Sequence, residues 1–179
     1  LYVVVSDGNK DAPGFAFADD KIIASTYDID LTVKKSKDYN NLRKIDGVMC
    51  MASDVPLTVA SVAKELSIPG ITIESAMLSS DKIAMKDKFF SDNVLIPKYK
   101  ELFNIEDLKS IISNWKFPLI IKPVDSRGAR GVARLDNNTN IDWAWSFAKE
   151  NSPTGRVMVE EYLKGPQVST ESLVINGDC

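Results

Sequence analysis

The sequence predicts an α/β protein in two parts: a Rossmann-like domain with a parallel, doubly wound sheet, then a mixed α+β unit. Three observations predict it. Short β-branched runs alternate with helix-patterned stretches as far as Glu74. Beyond Glu74 that rhythm gives way to helices, a hairpin and further strands, which places a domain boundary between residues 1–75 and 76–179. Finally, the apolar run FPLII at 117–121 ends in KPVDSRGARGV at 122–132, with two glycines and two arginines close behind a strand end. An ordinary turn needs one glycine. This one has the composition of a loop that holds an anion.

The elements follow in order. LYVVVS (1–6) is a β-branched strand stopped by the turn residues DGN, and KIIAST (21–26) is a second strand. Residues 30–44 are polar with scattered apolar positions and form a weakly patterned helix. DGVMCM (46–51) supplies a third strand and GITIE (70–74) a fourth. Between them SDVPLTVASVAKELS (53–67) has a Ser or Asp cap, an early proline, and Leu57, Val59, Val62, Ala63 and Leu66 at helical spacing. In the second part SSDKIAMKDKFFSDN (79–93) is a capped helix, and IPKY (96–99) is extended. NIEDLKSIISNW (104–115) is an amphipathic helix capped by Asn104, with acids in its first turn. FPLIIKPV, DSRGARG and VARL then form a hairpin over 117–135, and IDWAWSFAKEN (141–151) is a further helix. RVMVEEYL (156–163) and QVSTESLVI (167–175) are the last two strands, separated by KGP.

Composition narrows the chemistry. The 179 residues are 44% hydrophobic and 26% charged, which is ordinary globular usage. No apolar run approaches the roughly 18 residues of a membrane helix, and the net charge of −3 gives no bulk attraction to nucleic acid or anionic membrane. Cys50 and Cys179 lie far apart in sequence and read as free thiols in a reducing, cytoplasmic setting. The chain has no histidine, so Ser-His catalysis and His-ligated zinc are excluded for these residues. Leu1 already sits in a strand-like run and the chain stops just past a strand, so further sequence is expected on both sides.

What remains is lysine, arginine, carboxylate and backbone chemistry. Gly128 and Gly131 allow positive φ and close backbone approach, and exposed amides between them can form an anion-binding concavity. Lys122, at the strand end, can reach the same anion. A mobile hairpin turn with solvated arginines fits those residues equally well. Lys82 and Lys86 are four apart and share a helical face, which by itself reads as a solvated face. VEEYL is ordinary for an exposed strand end. Glu171 shares a strand face with Leu173 and Ile175 and is expected to face a covered side or a cleft.

The succession is more telling than its parts. A lysine-bearing helix, a short IP segment, a helix, a strand ending Lys-Pro, a glycine hairpin, a helix, VEEYL and a Glu-bearing strand together resemble the ATP-grasp superfamily. DGNKDAPGFAFADDKIIAST and KIDGVMCM with its helix resemble the Rossmann-like pre-ATP-grasp domain of the same proteins. The likeness is to the branch of biotin carboxylase, carbamoyl-phosphate synthetase and the PurK and PurT purine enzymes. It covers nearly the whole chain, with the first strand of the Rossmann-like domain and the C-terminal half of the ATP-grasp domain outside it.

This resemblance implies an ATP-dependent ligase that joins a small carboxylate to an amine or similar nucleophile through an acyl phosphate, with ATP and Mg²⁺ as cofactors. Lys82 matches the cation that reaches ATP phosphates from the domain's first helix, and Lys122 the strand lysine on the α- and β-phosphates. Gly128, Ala129, Arg130 and Gly131 match the flap over the triphosphate. Glu160, Glu161, Tyr162 and Leu163 match the hinge that holds the adenine edge. Gln167 falls where relatives carry a Glu for the ribose hydroxyls. No catalytic residue is assigned. The family's metal-binding carboxylates and asparagine fall after residue 179, so no metal ligand is assigned within this span.

No nucleic-acid or membrane partner is expected, and a homodimer is compatible with the likeness. A nucleotide-binding module without catalysis, or a subunit of a larger synthetase, is the alternative reading. An NAD(P)-binding dehydrogenase is a lesser one, since Asp7 ends a strand as a ribose-binding acid does. From its place at a strand end, Lys122→Met is expected to weaken ATP binding while leaving thermal stability nearly unchanged. Residues 126–130 are expected to be mobile without nucleotide and ordered by it.

Overall fold

In the computed structural model, which describes residues 1–51, 53–174 and 178, Val4–Asp7 (β1) runs parallel to Asp20–Ile23 (β2). Val4 lies opposite Asp20 and Asp7 opposite Ile23. The crossover carries one 3₁₀ turn, Pro13–Phe17. The chain divides into two compact units. The first is Leu1–Ile96 with Val124–Ala129, and the second is Pro97–Pro123 with Arg130–Cys179.

In the first unit, helices follow the parallel pair. Ile29–Leu42 (α1) starts where the Asp28 side chain accepts the Leu31 amide, so a cap residue stands before a polar helix. Pro56–Leu66 (α2) has proline in its first turn, where the missing N–H costs nothing. Its Ala60, Val62 and Ala63 are buried. Ile73–Ser80 (α3) and Lys82–Ser91 (α4) are separated by Asp81 alone. Asp81 ends α3 and caps α4, its carboxylate accepting the Ile83 and Ala84 amides at 2.9 Å each.

The parallel sheet is smaller than the alternating pattern predicts. Residues 46–51 form no strand: Met49 and Met51 are 73% and 84% exposed, and an uncovered run lacks the packing that strand preference reflects. Residues 70–74 are not a strand either. The Thr72 hydroxyl accepts the Ser75 amide at 3.0 Å and starts α3, so a side-chain cap prevails over a β-branched Ile-Thr-Ile run.

In the second unit, Tyr99–Leu102 (β3), Leu119–Pro123 (β4), Ala133–Leu135 (β5) and Val157–Glu161 (β6) form an antiparallel sheet in the order β3-β6-β4-β5. The expected hairpin is present as β4 and β5, with Ile121 opposite Ala133. Ile105–Asn114 (α5) begins with a reciprocal box between Asn104 and Asp107. Ile141–Glu150 (α6) begins with Asn140 accepting the Trp143 amide. Both helices cover one sheet face. Leu108, Ala144 and Ala148 pack there against Leu119, Ile121, Leu135, Val157 and Val159, all with no exposed surface. Each large member contributes about 1.5–3 kcal/mol by leaving water.

The expected strand at 167–175 is absent across its described residues, 167–174, which are irregular and exposed; Ile175 lies outside the described residues. The central strand β6 already has neighbours on both sides, and no described strand extends the sheet beyond β3 or β5. No described helix is long and apolar enough to cross a membrane.

Candidate functional site

Strand alternation fixes where Lys122 points. Leu119, Ile121 and Pro123 are buried while Ile120 and Lys122 are half-buried, so the lysine lies on the face opposite α5 and α6. The ladder sets Ile120 opposite Glu160 and Lys122 opposite Met158. Glu160 is therefore the diagonal neighbour of Lys122 on the same face. The two side chains form a charge-assisted hydrogen bond, with 17% and 12% of the lysine and glutamate side chains exposed. On β3, Tyr99 lies opposite Glu160 and Glu101 opposite Met158, and Glu101 accepts Arg156 Nε at 2.7 Å. This face thus carries two acid–base pairs.

The other hinge residues diverge. Glu161 spends its carboxylate locally, accepting the Lys98 amide at 3.0 Å, while its own amide donates to the Lys98 carbonyl at 2.9 Å. Tyr162 lies under the Arg134 guanidinium, 5.0 Å from the ring centre. Leu163, Gln167 and Glu171 are exposed in the irregular segment after β6. The strand face expected to aim Glu171 at a covered side does not form, so that expectation is corrected: a single extended stretch without a neighbouring strand leaves its side chains in solvent.

The glycine loop is a turn over residues 128–131. Gly128, Ala129 and Gly131 have φ of 60°, 58° and 72°, all left-handed. Glycine takes that region without penalty, whereas Ala129 carries a strain of about 1–2 kcal/mol. Gly131 is required twice over: a Cβ there would meet Asn151 Cβ at 2.6 Å and Pro123 Cγ at 2.7 Å. Gly128 has open space around it, and Arg130 is exposed.

In the first unit, Lys82 opens α4. Its ammonium donates to the carbonyls of Val124 at 3.2 Å and Ser126 at 2.5 Å. Its main-chain amide donates to the same Val124 carbonyl at 3.1 Å. Arg127 lies 3.8 Å from the Asp54 carboxylate. Lys86 is buried in α4, not the solvated cation its helical spacing suggests. A cavity of about 560 Å³ is lined by Cys50, Asp54, Val59, Ile71, Lys82 and Arg127 among others. Asp7, the acid at the end of β1, is engaged in its own turn, accepting the Asn9 amide at 2.7 Å.

The structure thus brings Lys122 to Glu160, and Lys82 to the base of the glycine loop. It leaves Gln167 and Glu171 exposed. Sequence reasoning missed Glu160 as the counter-ion of Lys122, because only strand register makes them neighbours. It also missed the Val124 and Ser126 carbonyls, since backbone acceptors leave no residue-type signal. Among the described residues, no group of three or more His, Cys, Asp or Glu side chains is placed to hold a metal ion. Lysines and turn amides around left-handed backbone are a chemistry for anions, phosphates above all.

No family model matches the chain. It is 25% identical over 171 residues to the formate-dependent phosphoribosylglycinamide formyltransferase of Prochlorococcus marinus, a match covering 91% of this chain and 42% of that protein. It is 27% identical over 136 residues to the carbamoyl phosphate synthase large chain of Thermoanaerobacter pseudethanolicus, covering 74% of this chain and 13% of that one. Its fold is similar to that of PurK, N5-carboxyaminoimidazole ribonucleotide synthetase, solved as an ADP complex. The TM-score is 0.71 at 16% identity, over 90% of this chain and 41% of that one. The chain therefore spans less than half the length of each of these proteins.

Proposed function

We propose that this chain, whose relatives lie in the ATP-grasp superfamily of ligases and carboxylases, is the nucleotide-binding part of an ATP-dependent carboxylate–amine ligase. The observation that carries the reading is a pair of half-buried lysines, one at the base of a left-handed glycine loop and one on the strand that leads into it. Lys122 and Lys82 neutralise phosphate charge, and amides of residues 128–131 bind phosphate oxygens. Glu160, Glu161, Tyr162 and Leu163 receive the adenine edge, with Gln167 at the ribose hydroxyls and Glu171 a further nucleotide-binding residue.

The intact enzyme uses ATP to phosphorylate a small carboxylate, releasing ADP. An amine or similar nucleophile then attacks the acyl carbon and phosphate leaves. Residues 1–75 are the Rossmann-like pre-ATP-grasp domain and 76–179 the first part of the ATP-grasp domain. Mg²⁺ belongs to the intact enzyme, but among the described residues no cluster of carboxylates fits a metal ion. The enzyme works in the cytoplasm on small molecules.

Calorimetric titration with Mg·ATP and with NADH tests this. ATP binding is expected, with new hydrogen-exchange protection at residues 128–131. NADH binding without ATP binding overturns the reading in favour of a dehydrogenase.

A further inference from the structure

We propose that Lys82 is a positioning residue: it fastens the base of the glycine loop before any nucleotide arrives. Three hydrogen bonds carry the inference. The Lys82 amide and ammonium both donate to the Val124 carbonyl, at 3.1 and 3.2 Å, and the ammonium also donates to the Ser126 carbonyl at 2.5 Å.

The local chemistry explains why this residue does it. The first amides of a helix have no partner within the helix. Asp81 satisfies those of Ile83 and Ala84. The Lys82 amide lies outside that cap and takes the Val124 carbonyl instead. An ammonium is a donor only, with three N–H bonds that rotate freely, so it can grip two carbonyls spaced two residues apart. Val124 is fully buried, which makes it a fixed point. Residues 124–126 are therefore held at both of their outer carbonyls, while 128–131 reach beyond the grip.

The purpose of the grip rests on the nucleotide-binding reading; the grip itself does not. If only the tip must be ordered when a phosphate binds, the ordering entropy falls on fewer residues. A lysine serving phosphate contact alone leaves the empty loop indifferent to its replacement. A lysine that fastens the loop does not.

The experiment uses the nucleotide-free chain. ¹⁵N relaxation at Asp125 and Ser126 is expected to give order parameters near the rigid value of about 0.85 in the parent and below about 0.6 in Lys82→Met. Lys82→Arg, which keeps the donors, restores them, and Lys88→Met on the same helix changes nothing. Unchanged order in Lys82→Met overturns the proposal. Equal loss in Lys82→Met and Lys82→Arg overturns it too, because the side chain's bulk rather than its donors is then at work. A reading independent of folding variants is the Lys82 NH₃⁺ signal of the parent: slowed exchange with water supports the grip, and exchange as fast as that of Lys10 refutes it. ATP titration of the parent judges the nucleotide reading separately, so either idea can fail alone.

Discussion

Lys82 and Lys122 are both half-buried, and both were expected to meet phosphate, yet the fold satisfies them differently. Lys122 is neutralised by a carboxylate, Glu160, on a neighbouring strand. Lys82 donates to carbonyls of the loop it supports. A cation held by a carboxylate has its charge cancelled until the pair is rearranged. The two lysines therefore differ in what their loss costs, even if a ligand uses them alike.

The largest effect falls on Lys122. Its position at a strand end suggested that Lys122→Met would leave stability nearly unchanged, but the Glu160 pairing changes that expectation. Removing one partner of a buried pair costs about 3–5 kcal/mol, because the carboxylate keeps its desolvation without its cation. Lys122→Met is thus expected to lower denaturant stability by that amount. ATP affinity should fall roughly 10- to 150-fold, the equivalent of a charge-assisted hydrogen bond of about 1.5–3 kcal/mol. Adding Glu160→Gln should restore most of the stability and none of the affinity. Lys82→Met leaves the buried Val124 carbonyl its bond from the residue-82 main-chain amide and should cost only about 1 kcal/mol. Equal destabilisation by the two single variants would erase the contrast.

A smaller effect sharpens it within the loop. Gly131→Ala combines a left-handed backbone with Cβ overlap against Pro123 and Asn151, so thermal denaturation should register a loss of about 2–4 kcal/mol. Gly128→Ala has the same backbone but open space, and should cost about 1–2 kcal/mol. Similar losses at both would mean that the exit of the loop is no tighter than its tip.

The smallest effect lies on β2. The Asp20 carboxyl is held below its ordinary value, chiefly by the Lys21 amide and then by the Tyr39 hydroxyl 2.8 Å away. The folded chain therefore binds a proton there less readily than the unfolded chain. Its contribution is present above the unfolded value of 3.8 and is lost as pH falls through the lower folded value. Asp20→Asn should make the acid limb of a stability–pH curve slightly shallower, and an unchanged limb would count against it.

Much of the second unit was legible from sequence because its signals are local. Asn104 and Asp107 announce the start of α5, and Asn140 that of α6. The apolar alternation around Lys122 and the glycines behind it announce β4, its turn and β5. The first unit resisted. Ile71, Thr72 and Ile73 have strand chemistry, but a hydroxyl cap converts the run to helix, and 46–51 lacked cover. Of the candidate site, residue types pointed to Lys82, Lys122 and the loop. Their partners depend on register and on backbone carbonyls, which residue identity does not encode.

Strand order in the second unit also has a consequence for how the chain is made. β6 is the last strand in sequence yet lies between β3 and β4. Until residues 157–161 leave the ribosome, β3 has no ladder to join and one edge of β4 stays open. Such long-range closure is slow, and open edges invite pairing between nascent chains. A product stopped before Val157 would therefore be prone to aggregate, and one extended through Glu161 would acquire the sheet and the counter-ion of Lys122 in the same step.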